Sequence, residues 1–256
     1  MTRPVLRADR LAKRFGGVRA VDHVSLDLAA GEVLALIGPN GAGKSTCFNL
    51  LNGQERADAG RVHLQGREIT GLPPRRIWRL GLARTFQVAA VFSSMTVAET
   101  VQVALLSRDR RLWRPWRRAN RYRRDQADAL LRQVGMDWAA GRTCGTLAYG
   151  DVKRVELAIA LANEPTVLLM DEPTAGMAPA ERGQLMALIR EIARARDMAV
   201  LFTEHDMDVV FGHAERVLVL HQGRVLARGR PEDVRLDPEV QRVYLGAPDH
   251  AGPAAC

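Results

Sequence analysis

The stretch Gly38-Pro39-Asn40-Gly41-Ala42-Gly43-Lys44-Ser45-Thr46 decides how the rest of this chain is read. It follows a short continuous apolar run, Val33–Ile37, and leads into a helical pattern over 47–51. Strand, glycine-rich loop and helix in that order is the setting a phosphate-binding loop requires. Glycines let backbone N–H groups turn inward around an anion at the positive end of a helix. A lysine placed as Lys44 is reaches the outer phosphates of a nucleotide, and a hydroxyl placed as Ser45 is can ligate Mg2+. The ligand expected here is ATP with Mg2+. The pattern occurs once, so one nucleotide site per chain is expected.

Working outward, buried-strand runs like Val33–Ile37 recur at 167–170, Ala199–Thr203 and 217–220. Continuous apolar runs of this length are what strands covered on both faces show. Between them lie amphipathic patterns such as 181–194, where Leu185, Leu188, Ile189 and Ile192 share a face and Pro179 suits the first turn. This alternation predicts an α/β fold with a mostly parallel sheet and helices on both sides. The run at 167–170 ends in Asp171-Glu172. Carboxyl ends of strands are where ligands bind in open parallel sheets, so Asp171 is placed to hold Mg2+ through its shell and Glu172 to polarise a water. Gln87 and His205 each follow a predicted strand, at 82–86 and Ala199–Thr203, and would project onto the same face if those strands are parallel.

The first 70 residues read differently, as short strands with turns: 24–28 alternates, and 61–65 and 67–69 flank a Gln65-Gly66 turn. The section 88–161 has almost no strand signal. Thr96 and Glu99 form a capping-box pattern opening a helix, 125–134 is amphipathic and stops at Gly135, and 152–162 is a third helix. One domain over 1–246 follows, with a core of 1–87 and 162–246 and an inserted helical subdomain of 88–161. Asp237-Pro238-Glu239 caps a short last helix, and 247–256 reads as a disordered tail.

Composition narrows the function classes. With 256 residues, 47% hydrophobic, the chain suits one large domain. Its apolar runs fall far short of the roughly 20 residues that cross a bilayer, and the N-terminus lacks a signal-peptide pattern. Cys47, Cys144 and Cys256 are odd in number and widely spaced, which argues against a disulfide framework or zinc site. Lys and Arg exceed Asp and Glu by 37 to 29, and nine of the arginines lie in 108–124 beside a single acid, Asp109. With Trp113, Trp116 and Tyr122 in the same stretch, an anionic membrane surface, nucleic acid and a plain solvated basic face all fit it.

Taken together, the loop, Asp171-Glu172, Gln87, His205 and Leu147-Ala148-Tyr149-Gly150-Asp151 resemble the ATP-binding-cassette family over nearly the whole chain. The resemblance implies a RecA-like P-loop NTPase core with an N-terminal antiparallel β-subdomain and an inserted α-helical subdomain. It implies that Gln87 is the Q-loop residue and a further Mg2+ ligand, that His205 is the switch histidine, and that Phe15 stacks on adenine. Leu147–Asp151 would be the signature segment, which caps the nucleotide of a second ATPase subunit. More narrowly, Arg84-Thr85-Phe86-Gln87, Met95-Thr96-Val97, Leu147-Ala148-Tyr149-Gly150, Thr203-Glu204-His205-Asp206-Met207 and Val243-Tyr244-Leu245-Gly246 look like the ATP-binding subunits of branched-chain amino-acid-type importers.

That likeness implies membrane permease subunits as partners, a periplasmic solute-binding protein acting indirectly, and a place at the cytoplasmic face of a bacterial inner membrane. Two other functions remain beside the importer: an exporter ATPase of the lipopolysaccharide type, and a soluble cassette acting on nucleic acid or ribosomes. The latter usually carries two cassettes or a long coiled coil, so nucleic acid is not the expected partner. The sequence departs from the family at Ala148 and Tyr149, where a serine and a glycine are usual, and at Ala178, where Asp or Asn is common. These departures fit a subunit paired with a different ATPase, a homodimer staying open.

Overall fold

The computed structural model describes residues 4–85, 91–109 and 123–245. Gln87, Trp113, Trp116, Tyr122 and the tail 247–256 lie outside the described residues, and so does most of the basic stretch.

The first elements are strands β1 (Leu6–Phe15) and β2 (Val18–Leu28), then β3 (Val33–Ile37) and helix α1 (Lys44–Leu51). Strands β4 (Ala59–Leu64) and β5 (Arg67–Glu68), helix α2 (Pro74–Arg79) and strand β6 (Leu82–Thr85) follow. Helices α3 (Val97–Arg108), α4 (Arg124–Gln133) and α5 (Tyr149–Leu161) come next. The remainder is β7 (Val167–Asp171), α6 (Pro179–Ala195), β8 (Ala199–Thr203), α7 (Met207–His213), β9 (Arg216–His221), β10 (Arg224–Gly229), α8 (Pro231–Leu236) and α9 (Pro238–Val240).

Two sheets form. One is antiparallel, in the order β2-β1-β4-β5; the other runs β10-β9-β3-β8-β7-β6. In the second, β9, β3, β8, β7 and β6 are mutually parallel and only β10 is antiparallel, so five strands deliver their carboxyl ends to one edge. Each parallel strand splits its side chains between two cores, as the two-residue period of a strand demands. Val33, Ala35, Ile37, Leu168, Met170, Val200 and Phe202 pack on the side of α3, α5 and α6. Leu34, Leu36, Val167, Leu169, Ala199 and Leu201 pack against α1 and the antiparallel sheet. Burial on both faces explains why the sequence shows continuous apolar runs there instead of alternation.

β1 and β2 are longer than the short strands read from sequence. Their pairing shifts register between Ala8 and Leu11 and again up to Arg14. Arg10 and His23 take φ of 45° and 59°, so the bulges reset the alternation that a reader of the sequence follows. The capping box at Thr96 forms: Glu99 N–H donates to Thr96 Oγ1 at 3.2 Å, and Thr96 N–H donates to Glu99 Oε2 at 2.9 Å. Asp237 caps α9 through its Oδ1, which accepts from Glu239 N at 2.8 Å. Cys47 and Cys144 are free and buried, and burial pushes the Cys47 thiol up to about 12. Both flanks of the basic stretch are paired, Arg108 with Glu164 at 2.9 Å and Arg123 with Asp109 at 2.6 Å. No helix among the described residues is long and apolar enough to cross a membrane.

Candidate functional site

The loop between β3 and α1 is shaped by two glycines that no other residue could replace. Gly38 has φ +147°, and a Cβ there would sit 2.1 Å from Leu220 O; Gly43 has φ +103°, with its Cβ position 2.2 Å from Ala20 O. Backbone from β2 and β9 therefore presses on the back of the loop. Ala42 O accepts from Gly223 N at 3.0 Å, fixing the loop from behind. The amino end of α1 has no side-chain cap, so its first N–H groups face outward without one, as an anion site needs.

Asn40, Gly41, Ala42, Gly43, Lys44, Ser45 and Thr46 line a pocket of about 520 Å³, and Asp171, Glu172 and His205 line the same pocket. The structure thus unites the loop with the two acids and the histidine. Val18, Arg19 and Ala20 form another wall. Phe15 is the hairpin partner of Val18 and is 47% exposed, so it is a surface aromatic and not a core one. Lys13 Nζ stands 5.4 Å from its ring centre.

Lys44 is 9% exposed. Its ammonium donates to Gly38 O at 2.6 Å and Pro39 O at 3.1 Å. Burial holds its pKa below the ordinary lysine value, with Glu172 and Asp171 opposing. These carbonyl bonds are what phosphate oxygens would replace.

Asp171 ends β7 and is bound on both oxygens. Thr203 Oγ1 donates to its Oδ1 at 2.7 Å, and Arg84 Nη2 donates to its Oδ2 at 2.9 Å. Glu172 follows with φ +49°, a left-handed conformation that costs a non-glycine residue about 1–3 kcal/mol. Its N–H donates to both Thr203 O at 3.1 Å and Thr203 Oγ1 at 3.2 Å, which holds the turn. The turn aims the carboxylate at His205, whose Nε2 lies 2.9 Å from Glu172 Oε1. Ser45 and Asp171 supply oxygen donors, which suit Mg2+ bound by one carboxylate, a hydroxyl and substrate phosphates. Among the described residues no group of three or more His, Cys, Asp or Glu could cage a metal without such a ligand.

Sequence reading missed the ties behind these groups. Glu204, 3% exposed, accepts from Thr174 N at 2.8 Å and Thr174 Oγ1 at 2.6 Å. Arg182 donates from Nε to Met177 O at 2.8 Å and from Nη1 to Asp206, the side-chain cap of α7. Both contacts lace the segment after Glu172 to the loop carrying His205. Burial pushes the Tyr244 phenol up, while a hydrogen bond from the Gly38 backbone, at the start of the loop, opposes that rise. Glu204, Asp206 and Tyr244 had a sequence signal only as members of short motifs, and Thr174 and Arg182 had none.

Leu147, Ala148, Tyr149, Gly150 and Asp151 sit elsewhere. Ala148 is the N-cap of α5 and provides no side-chain cap. Tyr149 is 47% exposed and its ring lies against Gly176, 3.4 Å from where a Cβ would be. These five residues are not among those lining the pocket.

Comparisons with known proteins identify the family. A family model described as ABC transporter matches residues 21–175, and one described as branched-chain amino acid ATP-binding cassette transporter matches 224–250. The chain is 41% identical over 253 residues to the high-affinity branched-chain amino acid transport ATP-binding protein LivG of Salmonella typhimurium, covering 96% of this chain and 99% of that one. It is 40% identical over 256 residues to BraF, the corresponding protein of Pseudomonas aeruginosa, with the same coverage. Among solved structures it is similar to the ADP conformation of an ATP-binding cassette of an ABC transporter, with TM-score 0.85, 32% identity, and coverage of 96% of this chain and 100% of that one.

Proposed function

The chain belongs to the ABC transporter family, and on that premise we propose that it is the ATP-hydrolysing subunit of an importer for branched-chain amino acids or similar small polar solutes. The observation that carries the reading is the meeting of Lys44, Ser45, Asp171, Glu172 and His205 in one pocket at the carboxyl edge of one parallel sheet.

In this reading the N–H groups of Gly41–Thr46 cradle the phosphates, Lys44 leaves the Gly38 and Pro39 carbonyls to bind the β- and γ-phosphates, and Phe15 covers the adenine. Ser45 and Asp171 would hold Mg2+, with Gln87 as the further ligand that the resemblance implies, and the ion would supply charge neutralisation at the phosphate oxygens. Glu172 takes a proton from the attacking water. His205, already 2.9 Å from Glu172, orients that carboxylate and the γ-phosphate end of the site. In keeping with the family resemblance, Leu147–Asp151 would complete the site of a second cassette through the uncapped N–H groups of α5; that these residues do not line their own chain's pocket supports the reading. ATP then joins two cassettes, and hydrolysis parts them. Permease subunits at the cytoplasmic face of the membrane receive that motion, and a solute-binding protein supplies the cargo.

The test is reconstitution of the chain with its neighbouring membrane subunits and binding protein in vesicles. ATP hydrolysis and uptake should both rise when leucine, isoleucine or valine is added. Hydrolysis indifferent to every such solute, in vesicles that transport none of them, would overturn the importer reading.

A further inference from the structure

We propose that Arg84 is a positioning residue that locks the Asp171 carboxylate for the metal–nucleotide complex. The inference rests on the reading of the pocket as a Mg–ATP site. Arg84 lies on β6, opposite Leu169 of β7, and its side chain is 10% exposed. Among the described residues, the guanidinium donates to three side chains. Nη2 donates to Asp171 Oδ2 at 2.9 Å, and Nη1 donates to Asn49 Oδ1 and to Gln54 Oε1, each at 2.7 Å. Its carbon is 5.5 Å from the ring centre of the fully buried Phe48.

Phe48 and Asn49 belong to α1, the same helix that carries Lys44 and Ser45 at its start. Arg84 therefore spans the two elements that must share a metal ion: α1 with its hydroxyl and β7 with its carboxylate. Thr203 holds the other Asp171 oxygen at 2.7 Å, so the carboxylate is gripped from both sides and cannot rotate freely. Each carboxylate oxygen keeps a second lone pair for the pocket that Asp171 lines. A planar fork suits three acceptors at fixed angles; a lysine ammonium would hold fewer of them in the same geometry. A positive charge beside a cation site also repels the cation. Gripping prevails in this account because partners that orient a ligand commonly change metal affinity by about 10–100-fold.

The experiment titrates a fluorescent ATP analogue into the full chain, first in chelator and then across a range of Mg2+, with a thermal melt as control. Arg84→Gln should bind the analogue in chelator within about twofold of the parent, yet need about tenfold more Mg2+ to reach the tight complex. Arg84→Lys should recover part of that loss. Asn49→Ala, which removes an anchor of the guanidinium without touching Asp171, should shift the Mg2+ midpoint the same way by less. A folded Arg84→Gln with an unchanged or lower Mg2+ midpoint overturns the proposal. If Arg84→Gln does not fold, an unchanged midpoint in Asn49→Ala overturns it instead. A parent chain whose nucleotide binding ignores Mg2+ would sink the Mg–ATP reading, which is a separate outcome.

Discussion

The carboxyl edge of the parallel sheet and the amino end of α5 each carry residues of the proposed site, yet they are finished to different degrees. At the sheet edge, Lys44, Asp171, Glu172 and His205 line one pocket, and each is held: Lys44 on loop carbonyls, Asp171 by Thr203 and Arg84, Glu172 and His205 by each other. At α5, the helix start has no side-chain cap, and a half-exposed Tyr149 rests on Gly176 away from that pocket. On the proposed function this is a division of labour: nucleotide binding rests on the groups at the sheet edge, and hydrolysis also calls on the start of α5 from a second cassette.

The comparison can be broken at either end. Glu172→Gln should cut turnover by roughly 10²–10⁴-fold, measured as phosphate release, while ATP affinity stays within a few fold. Normal turnover would remove the proton-accepting role. Lys44→Ala removes the one buried ammonium that lines the pocket among the described residues and should abolish nucleotide binding at micromolar ATP. Two charge-assisted bonds at about 1.5–3 kcal/mol each are enough for a loss of about 100-fold or more. Unchanged affinity there would contradict the phosphate-loop assignment.

Smaller effects sharpen the other end. Gly150→Asp places a negative charge in the first turn of α5, so turnover should fall at least about tenfold, with the chain's own ATP affinity unaltered. A matched fall in affinity would mean that α5 serves its own pocket. Ala148→Ser adds a hydroxyl at the uncapped helix start and should raise turnover by a few fold, on the order of one hydrogen bond. Thr96→Ala is the control away from both regions. It should cost about 1 kcal/mol in chemical denaturation and leave binding and turnover where they were.

What the sequence disclosed follows the range of the interactions involved. Gly38–Thr46 and Asp171-Glu172 were legible because strand, loop and helix signals lie side by side in the chain. Four of the five parallel strands were legible because burial on both faces leaves unbroken apolar runs; β6, with Arg84 and Thr85, has none. β10, with Arg224 and Arg228 and no fully buried residue but Gly-flanked ends, gave no such run. α2 and α7, at six and seven residues, are too short for a helical period to register. Arg84 on Asp171 spans 87 residues of sequence, and Thr203 on Asp171 spans 32. Nothing local announces such pairs. Phe15 was placed through resemblance to a family and His205 first through its position after a strand, and the structure adds for each where it stands: one beside the pocket wall, the other against Glu172.

The central claim, that the pocket binds nucleotide unaided but turns it over only with a second cassette, meets its most direct test in a dilution series. ATP affinity and ATP hydrolysis per chain are measured over a wide range of protein concentration, with sedimentation reporting the oligomeric state, and then with a second cassette subunit titrated in. The account predicts an affinity independent of concentration and a hydrolysis rate per chain that rises as dimers form or as the second cassette is added. Full hydrolysis at a concentration where every chain sediments as a monomer would contradict it.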